Sequence, residues 1–175
     1  MASRSIDMKQ FALWLLPLAL NACTPAGAPP PAPVPPPPAP PPAPALSSDW
    51  RDWPLTPGTW TYLPGVPVSS ARYADGPVAQ FVIQCDAAAK RVTIMRAGSA
   101  AELSIIMSTR TARLPAGHID DQGAAMSGVI LNATDHLLDE MVFSRGRIAV
   151  LSPGLPNLAI PAWAEPARAI EDCRK

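Results

Sequence analysis

The sequence predicts a mainly β domain, a small antiparallel β-sandwich or barrel with one or two short helices, behind an apolar leader and a disordered Pro/Ala linker. Three observations carry that reading. Short runs with an apolar residue at every second position recur from Trp50 onward, separated by turn-forming clusters. Thirteen of the 24 prolines fall between Pro25 and Pro44, where almost everything else is alanine, so that stretch has neither side chains to bury nor enough backbone donors to pair. The folding part is then residues 47–175, a domain of ordinary size.

The first strand is Thr59 to Leu63, where Trp60 and Tyr62 alternate with polar neighbours after the turn Thr56-Pro57-Gly58. After Asp75-Gly76-Pro77, the segment VAQFVIQC puts Ala79, Phe81, Ile83 and Cys85 on one face and Gln80 and Gln84 on the other. Asp86 to Lys90 reads as a turn and Arg91 to Arg96 as the returning strand, with Val92 and Ile94 inward. Glu102 to Arg110 reads as one strand with Leu103, Ile105 and Met107 facing the same way. Val129 to Leu131, Arg147 to Leu151 and Leu158 to Ile160 follow, and short strands so spaced suit a sandwich. Asp135 caps a short helix to about Met141, burying Leu137, Leu138 and Met141. Pro166 opens a second helix whose inward stripe is Ala169, Ile170 and Cys173.

Ahead of the domain, Arg4 and Lys9 precede the apolar run FALWLLPLAL, Phe11 to Leu20. A helix of that length, at about 1.5 Å per residue, covers only half a bilayer core, and the pattern describes an export signal over residues 1–22. Leu20-Asn21-Ala22-Cys23 resembles a bacterial lipobox. The resemblance implies that Cys23 is lipidated, becomes the mature first residue and supplies the membrane contact. Thr24, in the place where Asp marks inner-membrane retention, is similar to outer-membrane lipoproteins of Gram-negative bacteria. The expected location is therefore the outer membrane, lipid-anchored, with the domain in the periplasm. Residues 23–46 hold that cysteine and the proline run, a polyproline II rod reaching on the order of 70 Å. The run lacks the basic or aromatic flanks of a recognition peptide, so it reads as a spacer.

With Cys23 consumed by lipid, Cys85 and Cys173 remain, in a chain that folds where thiols oxidise. Each falls on an apolar stripe, Cys85 with Phe81 and Ile83, Cys173 with Ile170, so a disulfide between them is expected.

Lys plus Arg equals Asp plus Glu at 14 each, which excludes a strong electrostatic nucleic-acid binder. The two histidines, His118 and His136, have no Gly-x-Ser-x-Gly elbow to serve, and the adjacent Asp135-His136 cannot orient one another as triad partners do. His118 with Asp120 and Asp121 lacks a second histidine at metal spacing and reads as solvated loop. The pairs Asp139-Glu140 and Glu171-Asp172 are sequence neighbours, so their carboxylates diverge rather than converge on a glycosidic bond. Glu165 and Arg168 are spaced for a helix-start ion pair. No catalytic residue, metal ligand or cofactor is assigned. Arg145 and Arg147, flanking Gly146, are candidate anion contacts, and Trp60 and Tyr62 candidate stacking surfaces, although strand aromatics such as Trp50, Trp53 and Trp60 more often fill a core.

Leu55–Tyr62 (LTPGTWTY), the strand ending in Cys85-Asp86, Asp135 to Arg147 (DHLLDEMVFSRGR) and Pro161 to Arg174 (PAWAEPARAIEDCR) together resemble a group of alphaproteobacterial, sphingomonad-type lipoproteins of unknown function. The resemblance covers nearly all of the folded part. It implies the compartment and brings no activity, substrate or catalytic residue. In architecture the chain is also similar to periplasmic inhibitors of host lysozyme, small lipid-anchored β-domains with a disulfide to the C-terminal segment. Their inhibitory loop has Ser-Gly-x-x-Tyr, whereas this chain has Ser144-Arg145-Gly146-Arg147 without the tyrosine. The expectation is a non-enzymatic binding or structural module facing the periplasm, with an envelope protein or glycan as partner. The alternative is an inhibitor of a lysozyme-like enzyme, or a weak hydrolase.

Overall fold

The structure, a computed structural model, describes residues 46–175, and the leader, Cys23 and the linker up to residue 45 lie outside the described residues. Ten strands and two helices make up the described part. One antiparallel sheet runs in the order β1 (Thr59–Leu63), β2 (Val68–Ala74), β3 (Ala79–Asp86), β4 (Arg91–Ala97), β8 (Ala124–Asn132), β7 (Gly117–Asp121). The second runs β10 (Leu158–Pro161), β9 (Arg147–Leu151), β5 (Glu102–Ile106), β6 (Thr111–Pro115). Helix α1 (His136–Val142) and helix α2 (Ala164–Arg174) complete the domain.

Alternation decides which face each strand buries. Trp60, Tyr73, Phe81, Ile83, Cys85, Val92 and Ile94 from the first sheet meet Ile105, Ile148, Val150 and Ile160 from the second in one core. The helices close it with Leu137, Leu138 and Met141 from α1 and Ala169, Ile170 and Cys173 from α2. This is sandwich packing, two inner faces interdigitating, with helices covering what the second sheet leaves open. Trp60 stands edge-on to Tyr73 and Phe81, with centroids 5.3 and 6.3 Å away, and donates its indole N–H to the Pro161 carbonyl at 2.8 Å.

The outer face of each sheet is partly covered as well. Trp53 lies over Ala149 and Ala159 on the second sheet, brought there by the 3-10 turn Trp50–Asp52, and Arg147 donates to the Trp53 carbonyl at 2.6 Å. On the first sheet Val82, Met95 and Met126 form a small cluster under Ile119. Arg72 of β2 reaches Asp121 of β7 through two hydrogen bonds of 3.2 and 2.5 Å. Three strands separate them, roughly 19 Å in a flat sheet, which two side chains cannot span. The sheet therefore curls back on its outer face, and Gly128 permits it, since a Cβ there would sit 2.6 Å from Ile119 Cδ1 and 2.8 Å from the Ile94 carbonyl oxygen.

The guanidinium of Arg96, buried at the end of the sandwich, donates from its two Nη groups to the carbonyls of Ala97 and Pro156 at 2.8 and 3.0 Å and to that of Gln80, while its Nε is buried without a partner. It joins the β3–β4 edge of the core to the β9–β10 loop. Burial pulls its pKa below the ordinary value, and carbonyl dipoles replace the carboxylate a buried cation usually finds.

Several expectations need correction. Glu102 to Arg110 is not one strand: β5 ends at Ile106, and Met107 accepts the chain reversal by donating to the Arg110 carbonyl at 2.9 Å. The segment around His118 is strand β7, not loop, and Asp121 is committed to Arg72. Helix α2 begins at Ala164, so Pro166 is its third residue, where the missing N–H still has no intrahelical partner to lose. Strand β8 is longer than Val129 to Leu131, beginning at Ala124 and ending at Asn132.

Candidate functional site

Cys85 on β3 and Cys173 on α2 form a disulfide, their Cα atoms 5.5 Å apart and both side chains fully buried. The bond fixes α2 across the first sheet. The helix buries Pro166, Ala169, Ile170 and Cys173 and turns Ala164, Ala167, Arg168, Glu171 and Asp172, with Lys175 just beyond its end, towards Tyr62 of β1. Alanines at 164 and 167 leave space where longer side chains would fill it. The result is a cleft of about 380 Å³ between helix and strand. A second hollow of about 500 Å³ shares the wall made by Tyr62, Asp172 and Lys175 and continues to Pro64, Gly65, Val66 and Ala87. Val66, at the tip of the β1–β2 turn, is 99% exposed.

A short chain of polar contacts holds that wall. The Tyr62 hydroxyl donates to Asp172 Oδ2, and Lys175 Nζ donates to Asp172 Oδ1 at 2.8 Å. Lys175, and after it Tyr62, hold the Asp172 carboxyl at about 2, below its ordinary 3.8. The same carboxylate raises the Tyr62 phenol and the Lys175 amine. Arg168 lies 4.4 Å from the centroid of the Tyr62 ring, a cation–π contact at the mouth of the cleft.

A carboxyl depressed in the folded state contributes stability that is complete above its unfolded pKa and is lost as pH falls through the folded one. The stability gap between the parent and Asp172→Asn is therefore expected to be open near neutral pH and to close between about pH 4 and pH 2. Solvent screening keeps it at or below about 1 kcal/mol. Urea titrations across that window check this, and a gap that does not change with pH would place the role of Asp172 elsewhere.

The structure separates the four surface residues read from the sequence. Tyr62 is in the cleft. Trp60, two residues away, is 6% exposed and belongs to the core, because the alternation that brings it inward also gives its N–H to Pro161. It adds nothing to a surface. Arg147 is held structurally by the Trp53 carbonyl. Arg145 remains at the surface, its backbone N–H donating to Ser108 Oγ at 3.2 Å, in a turn where Gly146 takes φ +74°. Arg168 does not pair with Glu165: its guanidinium stacks on Tyr62, and Glu165 Oε2 is buried without a hydrogen-bond partner. The neighbouring carboxylates do diverge, Asp139 to Arg174 and Glu140 to Arg110, Glu171 to Arg174 and Asp172 to Lys175.

Arg168, Asp172 and Lys175 had no motif to mark them as a site. Their spacing of four and then three residues puts them on one helix flank, which a helical projection finds, but nothing in the sequence shows that Tyr62 lies opposite. Among the described residues no group of three or more His, Cys, Asp or Glu side chains is placed to hold a metal ion, and no helix is long and apolar enough to cross a membrane. Compared with family models, curated proteins and solved structures, the chain finds no match.

Proposed function

We propose that the protein is a lipid-anchored outer-membrane lipoprotein, of the sphingomonad-type group it resembles, whose β-domain is a non-enzymatic binding module in the periplasm. The proline-rich segment Pro25 to Pro44 serves as the spacer between anchor and domain, and the domain meets an envelope protein or glycan. The observation that carries the binding part is the α2–β1 cleft, which offers an aromatic ring, small apolar side chains and a cation, Arg168, that makes no ion pair among the described residues. The Leu20-Asn21-Ala22-Cys23 sequence supports the anchor, and the Cys85–Cys173 disulfide supports an oxidising compartment. His118 lies on the edge strand β7 and His136 opens α1. The hydroxyl of Ser144, in the loop compared with the lysozyme inhibitors, is already engaged with Ser108 N–H and the Arg147 carbonyl.

Fractionation of cells tests the anchored reading. The parent chain is expected to sediment with outer membranes, and Cys23→Ser to be found as uncleaved precursor or in the soluble fraction. A Cys23→Ser chain that is processed and sediments as the parent does would remove the lipid from the account.

A further inference from the structure

Arg168 is the cation of the cleft that the fold leaves unpaired. Lys175 is bound to Asp172 at 2.8 Å, and Arg174 to Asp139 and Glu171 at 2.8 and 3.3 Å, whereas Arg168 has no ion pair or hydrogen bond among the described residues. It rests on the Tyr62 ring instead. A guanidinium restrained by an aromatic face keeps its N–H groups unused, and their planar fork matches a carboxylate or a phosphate. Charge chooses between the two. Of the other charges lining the cleft, Asp172 is paired with Lys175 and Glu171 with Arg174, so Arg168 offers one unneutralised positive charge, which a single negative charge on the ligand balances and a second would exceed.

The rest of the furrow is apolar on a small scale. Ala164 and Ala167 floor the cleft, and Pro64, Val66 and Ala87 line the hollow beyond the Tyr62 wall. We propose that this furrow binds the free carboxylate end of a peptide with small apolar side chains, the carboxylate on Arg168 and the side chains running towards Val66. The proposal rests on the binding-module reading, and is independent of the anchor.

The test is titration of the purified full chain with acetyl-alanyl-alanine, followed by NMR. For so small a ligand the dissociation constant is expected on the order of 1 mM, with shifts concentrated at Tyr62, Ala167 and Arg168. Capping the carboxylate as the amide, or changing Arg168→Gln, is expected to weaken binding about tenfold or more, and Arg168→Lys by less, since the charge stays and the fork goes. Arg168 is exposed, so circular dichroism is expected to show its variants folded, and the amide arm needs no variant. Equal binding of acid and amide overturns the proposal, as does undiminished binding to Arg168→Gln or the absence of shifts at 20 mM peptide. So does inorganic phosphate moving the same resonances as strongly as the peptide, because the site would then select charge alone. Release of free alanine during a carboxylate-dependent titration would overturn the non-enzymatic reading while upholding the contact.

Discussion

Cys85→Ala is expected to lose about 4 kcal/mol of folding stability, most of what a domain at the lower end of the usual range has. The bond closes a loop of 88 residues, for which chain entropy gives roughly 4–5 kcal/mol as an upper figure. Total stabilities of single domains are about 5–15 kcal/mol, so at the lower end of that range about 1 kcal/mol would remain. The loss falls first on α2, because Cys173 ties that helix to β3, and the Tyr62 cleft exists only while α2 is docked. Urea unfolding of the parent with and without reductant, alongside Cys85→Ala, measures the effect. A variant with the parent's midpoint, or two free thiols at positions 85 and 173 of the non-reduced parent, would contradict it.

Trp60→Ala is expected to cost about 3–5 kcal/mol, the range for emptying an aromatic site in a core. The indole fills space between Tyr73 and Phe81 and supplies the hydrogen bond to Pro161 at the end of β10, where the chain leaves for α2. Trp60→Phe keeps part of the packing but leaves the Pro161 carbonyl without its donor, about 1–3 kcal/mol. The ordering Ala worse than Phe worse than parent, read from denaturation midpoints, identifies a core residue. A stacking residue on the surface would change stability by no more than about 0.5 kcal/mol in either variant.

The strands that were legible in the sequence are those with apolar residues at every second position. β3, with Phe81, Ile83 and Cys85 against Gln80 and Gln84, and β4, with Val92 and Ile94, lie as the alternation requires. β2 was not legible, because VSSARYA presents Ser69 and Ala71 to the interior beside Tyr73, and one large residue with two small ones makes no hydrophobic alternation. β6 and β7 escape for another reason. Pro115 and Gly117 read as breakers, yet both belong to edge strands, where one side of the backbone needs no partner. The disulfide was legible because both cysteines sit on apolar stripes and no third thiol competes in the domain.

The site was legible only in part. Tyr62 stands out as a strand aromatic, but its partners lie more than a hundred residues along the chain on a helix, and only the docking of α2 brings them together. Arg145 and Arg147 drew attention through adjacency to a turn glycine, and adjacency does not say that Arg147 will be spent on the Trp53 carbonyl. Glu165 and Arg168 satisfied the helix spacing rule, yet the nearby aromatic face holds the guanidinium instead.

The binding-module account is tested most directly in intact cells by a photo-reactive residue at Ala164, which lines the cleft, compared with one at Gln122, on the exposed turn between β7 and β8. Irradiation is expected to give a covalent adduct with an envelope component from position 164 and none from 122, with the adduct lost when Arg168→Gln is added. No adduct from position 164, or equal adducts from both positions, would contradict a binding site between α2 and β1.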